Sequence, residues 1–272
     1  MKLIYIAGAS HSGSTLLDMM LNAHPKIVSV GEVLKLNRTK GSKTGKPKFT
    51  RCSCGAWGLM QCEFWSRVNE RILQTHGKSF ADLDVNDYHQ LPEREDPNAI
   101  LFRAISDVSG KDFIVDSSKI PRRLKHLMSV DELTVYPVHL IRDPRGQIAS
   151  VIKKNGLMKS ILYHEVVHAQ TRRILQSVPH SVVRYEDLVV DTERSLNRIL
   201  EPLGLKFDPR QLQWAEQVKH SFAGNHVRRQ KKSELVLDER WKRLLSPKQK
   251  FLIDVGTLFS RSNRRLAPPM GS

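Results

Sequence analysis

An apolar run, a glycine-serine turn and a helical pattern stand end to end between residues 3 and 21, and they constrain the fold more than any other stretch. Leu3–Ala7 is continuously apolar over a length that suits a buried strand. Gly8-Ala9-Ser10-His11-Ser12-Gly13-Ser14-Thr15 follows with the spacing G-x-x-x-x-G-x-T, and Leu16, Leu17, Met20 and Leu21 then recur at helical intervals. A glycine-rich turn that opens a helix aims backbone N–H groups at an anion, and the helix dipole adds to the field. Ser10, His11, Ser12, Gly13, Ser14 and Thr15 are therefore candidate phosphate ligands. In a nucleoside-triphosphate enzyme the residue after the second glycine is lysine, which reaches the β- and γ-phosphates. Here it is Ser14. The cradle for one phosphate group is kept and the device for a triphosphate is absent. The bland alternative is a turn that ends a strand and binds nothing.

The rest of the chain repeats the alternation of short apolar runs and helical periodicity, which argues for βαβ units and a mainly parallel sheet flanked by helices. Phe113–Val115, Thr134–Ile141 and Ser181–Val183 read as further strands, and a short strand ends before Gly31-Glu32. Asp96-Pro97 reads as an N-cap with proline in the first turn of a helix carrying Leu101, Ile105 and Val108, stopped at Gly110. Asp191 caps a helix with Leu196, Ile199, Leu200 and Leu203, and Ser246-Pro247 opens another through Leu252 and Val255. Neither a repeat nor a second domain is visible. The expectation is one α/β domain over 1–270, a P-loop-like three-layer fold, with a basic, cysteine-containing insertion at about 33–65.

Charge bears on partners rather than on fold. The chain has 44 Lys+Arg against 28 Asp+Glu, formally +16, which favours an anionic ligand, nucleic acid or a membrane surface. Seven of the cations (Lys35, Arg38, Lys40, Lys43, Lys46, Lys48 and Arg51) fall in Val33–Arg51 without a carboxylate, as in an inserted mobile loop. No apolar run reaches the roughly 20 residues of a membrane-spanning helix, and Leu3–Ala9 is too short for a secretory core. Three cysteines offer no disulfide framework, so a reducing, cytoplasmic setting is expected.

The loop resembles the 5′-phosphosulfate loop of sulfotransferases that use 3′-phosphoadenosine-5′-phosphosulfate (PAPS), and three later stretches match that family in order. Tyr136-Pro-Val-His-Leu-Ile-Arg142-Asp143-Pro144-Arg145, continuing to Ser150, resembles its 3′-phosphate site. An arginine at a strand end offers a bidentate donor to a phosphate, and Ser150 adds a hydroxyl. Arg184-Tyr185-Glu186-Asp187-Leu188 resembles a downstream strand end, and Gly224-Asn225-His226-Val227-Arg228, with Trp241 beyond, resembles the C-terminal stretch of a soluble bacterial branch. The resemblance implies PAPS as donor, adenosine 3′,5′-bisphosphate as product, and a nucleotide site that includes Arg142, Ser150, Tyr185, Asn225 and Arg228.

The same resemblance implies three catalytic candidates. Glu32 sits where related branches carry a carboxylate base, and a carboxylate among cations stays ionised and able to accept a proton. Lys119, in Asp116-Ser117-Ser118-Lys119 just past a strand, resembles a lysine that stabilises charge on the moving sulfonate. His11 departs from the pattern, because its position usually carries arginine or lysine; histidine supplies that charge only when protonated, or serves as an acid or base. The plain alternatives are a solvent-facing glutamate, a surface lysine and a satisfied loop histidine. In-line sulfuryl transfer rests on positioning and charge stabilisation, and no metal is expected in it.

Other readings compete. A P-loop phosphotransferase or nucleotide kinase fits the loop but not Ser14. A nucleic-acid-binding module fits the charge, yet Phe49 is the one aromatic in the basic loop, so stacking platforms are lacking and nucleic acid is not expected as a partner. His164-Glu165-Val166-Val167-His168 is a literal H-E-x-x-H, without the remaining zinc-protease context. Cys52, Cys54 and Cys62 offer three thiolates, but no fourth ligand stands at finger spacing, and no metal ligand set is expected. Similar cysteine runs in relatives of the resembled family imply a structural clip near the acceptor mouth, with thiol or disulfide left open. The acceptor is read only as a hydroxyl, with an anionic glycan or a lipid headgroup suggested by the basic loop.

Overall fold

The structure, a computed structural model, describes residues 1–36, 51–88, 95–229 and 232–258. In chain order it runs β1 (Lys2–Ala7), α1 (Ser14–Asn22), β2 (Ile27–Ser29), α2 (Glu63–His76), α3 (Pro97–Ser109), β3 (Phe113–Lys119), α4 (Pro121–Leu127), β4 (Thr134–Ile141), α5 (Pro144–Ala149), α6 (Ile152–Asn155), α7 (Leu157–Leu175), β5 (Ser181–Arg184), α8 (Tyr185–Val190), α9 (Thr192–Leu200), α10 (Trp241–Leu244) and α11 (Pro247–Gly256). The five strands form one sheet in the order β2-β3-β1-β4-β5, and every pairing is parallel.

The central strand explains the layering. Side chains alternate across a strand, so a strand buried on both faces must be apolar at every position. Leu3, Tyr5 and Ala7 pack with α2, α3 and α4 on one face, while Ile4 and Ile6 pack with α1, α8 and α9 on the other. All five are at most 1% exposed, and burying each of Leu3, Ile4 and Ile6 contributes about 1.5–3 kcal/mol. A smaller cluster of Ile148, Ile161, Leu245 and Ile253 joins α5, α7 and α11. The expected three-layer α/β fold is the observed one.

Local punctuation agrees closely with the sequence. Asp96 accepts from Asn98 N–H at 2.7 Å at the start of α3, and Gly110 ends it with φ +62°. Asp191 caps α9 through Arg194 N–H, but the helix stops at Leu200, and Leu203 lies in a following 3-10 turn. β3 is longer than its apolar core suggests and includes Asp116 to Lys119, so Lys119 is the last strand residue rather than one beyond it. Polar residues persist in this buried strand because they are satisfied there. Asp116 accepts from Ser118 N–H at 2.9 Å and pairs with Arg123 Nε at 2.8 Å, both partners fully buried.

Strand order positions the site. From β1 the chain moves to β2 and β3 on one side and then crosses past β1 to β4 on the other, so the crevice beyond the C-terminal end of β1 is the switch point where α/β sheets bind ligands. Gly8–Gly13 turns at that point. Of the inserted segment, Val33–Lys35 forms a 3-10 turn and Arg51 bridges to Trp57, whereas Arg38, Lys40, Lys43, Lys46 and Lys48 lie outside the described residues.

Candidate active site

The loop between β1 and α1 is held from behind. Gly8 has φ +149°, and a Cβ there would come within 2.3 Å of the Leu140 carbonyl oxygen of β4, which only glycine avoids. Gly13 has φ +89°, and a Cβ there would meet the Tyr185 ring at 2.5 Å. Arg142 Nη1 donates to the His11 carbonyl at 2.9 Å and Gln147 Nε2 to the Ser10 carbonyl at 2.8 Å. Ser10 N–H donates to the Tyr163 hydroxyl at 3.1 Å. With those carbonyls engaged, the first-turn N–H groups of α1 are the donors that face the crevice. Ser12 is fully buried, and its Oγ has no hydrogen-bond partner among the described residues. An orphaned buried hydroxyl costs about 1–3 kcal/mol, which an anion in the loop would offset.

Glu32 and Lys119 meet beside this loop. Val30 N–H donates to Val115 carbonyl at 3.3 Å, and Ser117 N–H to Gly31 carbonyl at 2.9 Å, which holds the Gly31-Glu32 segment against β3. Glu32 Oε1 then lies 3.2 Å from Lys119 Nζ and Oε2 lies 2.5 Å from Lys35 Nζ, with Glu32 only 8% exposed. Burial alone would raise the Glu32 pKa, but the Lys119 and Lys35 ammonium groups outweigh it and hold the carboxyl below its ordinary value. Burial lowers the pKa of Lys119, opposed by Glu32. For His11 burial is again the largest cause, and Lys119 and Arg142 add to it, so the ring is biased toward its neutral form. His11 (φ +67°) and Lys119 (φ +71°) are the two non-glycine residues with left-handed backbone among the described residues. Such conformations cost on the order of 1–3 kcal/mol and gather at functional sites. Parallel pairing sets Lys119 opposite Ala7, after a bulge in the β1–β3 register, and so directly under the loop.

Arg142 closes the other side. Its guanidinium lies 4.4 Å from the Tyr185 ring centroid, and Nη2 pairs with Asp238 Oδ2 at 3.0 Å. Asp238 N–H donates to the Tyr185 hydroxyl at 3.3 Å. Ser150 follows α5, and its Oγ donates to the Gly146 carbonyl at 3.0 Å, so its single hydrogen has to turn from that carbonyl to reach a phosphate oxygen.

A glycine-rich loop, a buried carboxylate and several cations thus meet at the end of β1. A model of the sulfotransferase family matches residues 4–209. The chain belongs to the sulfotransferase family. A search of curated proteins finds no match. Among solved structures, the sulfotransferase domain of the Synechococcus PCC 7002 olefin synthase superposes with a TM-score of 0.59 at 20% identity, covering 99% of this chain and 96% of that one. The sulfotransferase domain from the curacin biosynthetic pathway gives 0.57 at 17% identity, covering 93% and 95%. At these identities the likeness concerns the fold.

Within this sulfotransferase the sequence candidates divide into three groups. Ser10 to Thr15, Glu32, Lys119, His11, Arg142 and Tyr185 surround the end of β1. Asn225 joins them through its N–H, which donates to Thr15 Oγ1 at 3.2 Å. Arg228 reaches a different neighbourhood, where Nη1 donates to Ser221 carbonyl at 2.8 Å and Ser53 Oγ at 3.1 Å. The H-E-x-x-H helix is α7, and its histidines turn inward: His164 Nδ1 lies 3.3 Å from Gln147 Oε1 and His168 Nδ1 lies 2.9 Å from His139 Nε2. Neither histidine joins a group of three metal-ligating side chains among the described residues. No helix of the described residues is long and apolar enough to cross a membrane.

Asp238, Gln147, Tyr163 and the Asp116–Arg123 pair were not among the sequence candidates. Asp238, Gln147 and Tyr163 act across 96, 137 and 153 residues, which no local spacing announces, whereas Asp116 and Arg123 are 7 residues apart and pair only because the chain turns from β3 into α4.

Proposed function

We propose that this sulfotransferase uses PAPS and moves its sulfuryl group to an acceptor hydroxyl by in-line displacement. The carrying observation is the convergence of Glu32 and Lys119, 3.2 Å apart, beside a phosphate loop that has Ser14 in place of the triphosphate lysine. The loop N–H groups and the hydroxyls of Ser10, Ser12, Ser14 and Thr15 receive the 5′-phosphosulfate, and Arg142 with Ser150 receives the 3′-phosphate. Tyr185 backs Gly13 and Arg142, Asn225 steadies Thr15 through its N–H, and Arg228 ties down the Ser221 segment that abuts Gly31. In the reaction the acceptor oxygen attacks sulfur as the bond from sulfur to the phosphate oxygen breaks. Adenosine 3′,5′-bisphosphate leaves, and the acceptor proton passes to Glu32.

Lys119 has two roles in this scheme. Without a sulfonate it neutralises Glu32; with one it is drawn to the oxygens where charge develops, which releases the carboxylate to act as base. His11 is biased neutral, so it serves the leaving oxygen as a hydrogen-bond donor rather than as a fixed cation. The excess of 44 basic over 28 acidic residues supports an anionic acceptor such as a glycan or a lipid headgroup.

Calorimetry with adenosine 3′,5′-bisphosphate and ATP tests the donor. The bisphosphate should bind far more tightly, and equal or reversed affinities sink the PAPS reading. A screen of hydroxyl acceptors with radiolabelled PAPS then names the acceptor class.

A further inference from the structure

Cys52, Cys54, Cys62 and His220 present one ligand atom each, all within 4.8 Å of one another. The sequence offers three thiolates and no fourth donor at finger spacing; the fold brings the fourth from a distant segment. Cys62 Sγ lies 3.2 Å from His220 Nδ1 and 3.6 Å from Cys54 Sγ. Around a tetrahedral zinc with Zn–S of about 2.3 Å and Zn–N of about 2.0–2.1 Å, ligand atoms stand about 3.5–3.8 Å apart. A disulfide would bring two sulfurs to about 2.05 Å. We propose that Cys52, Cys54, Cys62 and His220 form a structural zinc site.

The surroundings are built for it. Cys52 and Cys54 sit in a tight turn in which Gly55 N–H donates to the Cys52 carbonyl at 3.0 Å and Cys52 N–H to the Ala56 carbonyl at 2.9 Å. Cys62 occupies the N-cap position of α2, where the helix dipole favours a thiolate. His220 is oriented on both sides: its ring stacks on Phe64 with centroids 4.8 Å apart and 13° between planes, and its carbonyl accepts from Trp65 Nε1 at 3.0 Å. Three soft thiolates with one imidazole select zinc, and a full set of four protein ligands leaves no open position for chemistry. On binding, the three thiols give up their protons and the imidazole stays neutral.

The site would staple three segments behind Glu32. Ser53 N–H and Oγ both donate to the Ser221 carbonyl at 2.9 Å. The adjacent Lys219 pairs with Asp18 of α1. Gly31 leaves room for Ser221, whose Oγ a Cβ at position 31 would meet at 2.5 Å. The zinc would therefore hold the segment that seats Gly31, next to the candidate base.

Elemental analysis of protein purified without chelator, paired with thiol titration, tests this independently of PAPS or of any activity. About one zinc per chain is expected, released when a mercurial titrates the three thiols. Cobalt substitution should produce a thiolate-to-metal charge-transfer band, weakened in Cys54→Ser. His220→Ala should lose most of the zinc, while His220→Cys, which restores four donors, should keep it. If the alanine and serine variants fail to fold, the wild-type stoichiometry and the cobalt spectrum still decide. A metal-free wild type with three free thiols overturns the proposal, and so does a Cys54–Cys62 disulfide found by mass spectrometry.

Discussion

Lys119 Nζ lies 3.2 Å from Glu32 Oε1, although the two residues leave the sheet from different strands, β3 and the end of β2. The pair is buried, and Lys119 is held there with φ +71°. Strain, burial and opposite charge at one point describe a prepared site, because the strained backbone and the buried charges are each unfavourable and the attraction between the two charges offsets part of that cost.

Glu32→Gln should lower kcat about 10²-fold or more, the scale of a lost general base. Affinity for adenosine 3′,5′-bisphosphate should stay within a few fold, since the loop donors are untouched. Rapid-quench turnover and calorimetry on the same preparation separate the two effects. A near-normal kcat moves the base elsewhere, with His11 next in line.

Arg142→Ala should weaken adenosine 3′,5′-bisphosphate by roughly 10- to 100-fold, in keeping with about 1.5–3 kcal/mol for a charge-assisted hydrogen bond. Affinity for 5′-AMP should change far less, because the proposed partner is the 3′-phosphate. Equal losses for both nucleotides would mean that Arg142 acts only by shaping the loop through the His11 carbonyl.

The pH profile separates His11 from Glu32. Glu32 titrates below 4.5 in the folded protein, so its carboxylate is present throughout the neutral and mildly acidic range. The stability it contributes is full above the unfolded-state pKa and is lost as pH falls through the lower folded value. His11 titrates below 6.5 and gains charge only on acidification. In His11→Asn, kcat/KM for PAPS, which reports the free enzyme, should stay level until the pH drops below 4.5, the ordinary glutamate value. An acid limb centred at or above 6.5 in that variant rules out Glu32 as the base.

Arg123→Ala should destabilise the protein by about 3–5 kcal/mol, because it leaves the Asp116 carboxylate buried and unpaired. The pair is fully buried at 2.8 Å, and Arg123 Nη1 also donates to the Val85 carbonyl at 2.7 Å. Urea unfolding monitored by fluorescence reads the loss. A change under 1 kcal/mol would show that water reaches Asp116 in the variant.

The sequence by itself determined the elements and the loop. An apolar run as short as Leu3–Ala7, the glycines at 8 and 13 and the cap at Asp96 are local choices, decided by burial on both strand faces and by backbone freedom within a few residues. Glu32, Lys119 and Arg142 came out through the family resemblance together with their places at strand ends, where parallel sheets collect ligands. Only the tertiary structure decided who partners whom. Asp238 is 96 residues from Arg142, and His220 is 158 residues from Cys62. Whether such residues touch depends on strand order and on which helix covers which face, and no spacing along the chain encodes either. Even over a short separation the fold decides: Asp116 stays in the buried strand because Arg123, in the first turn of α4, comes back to meet it.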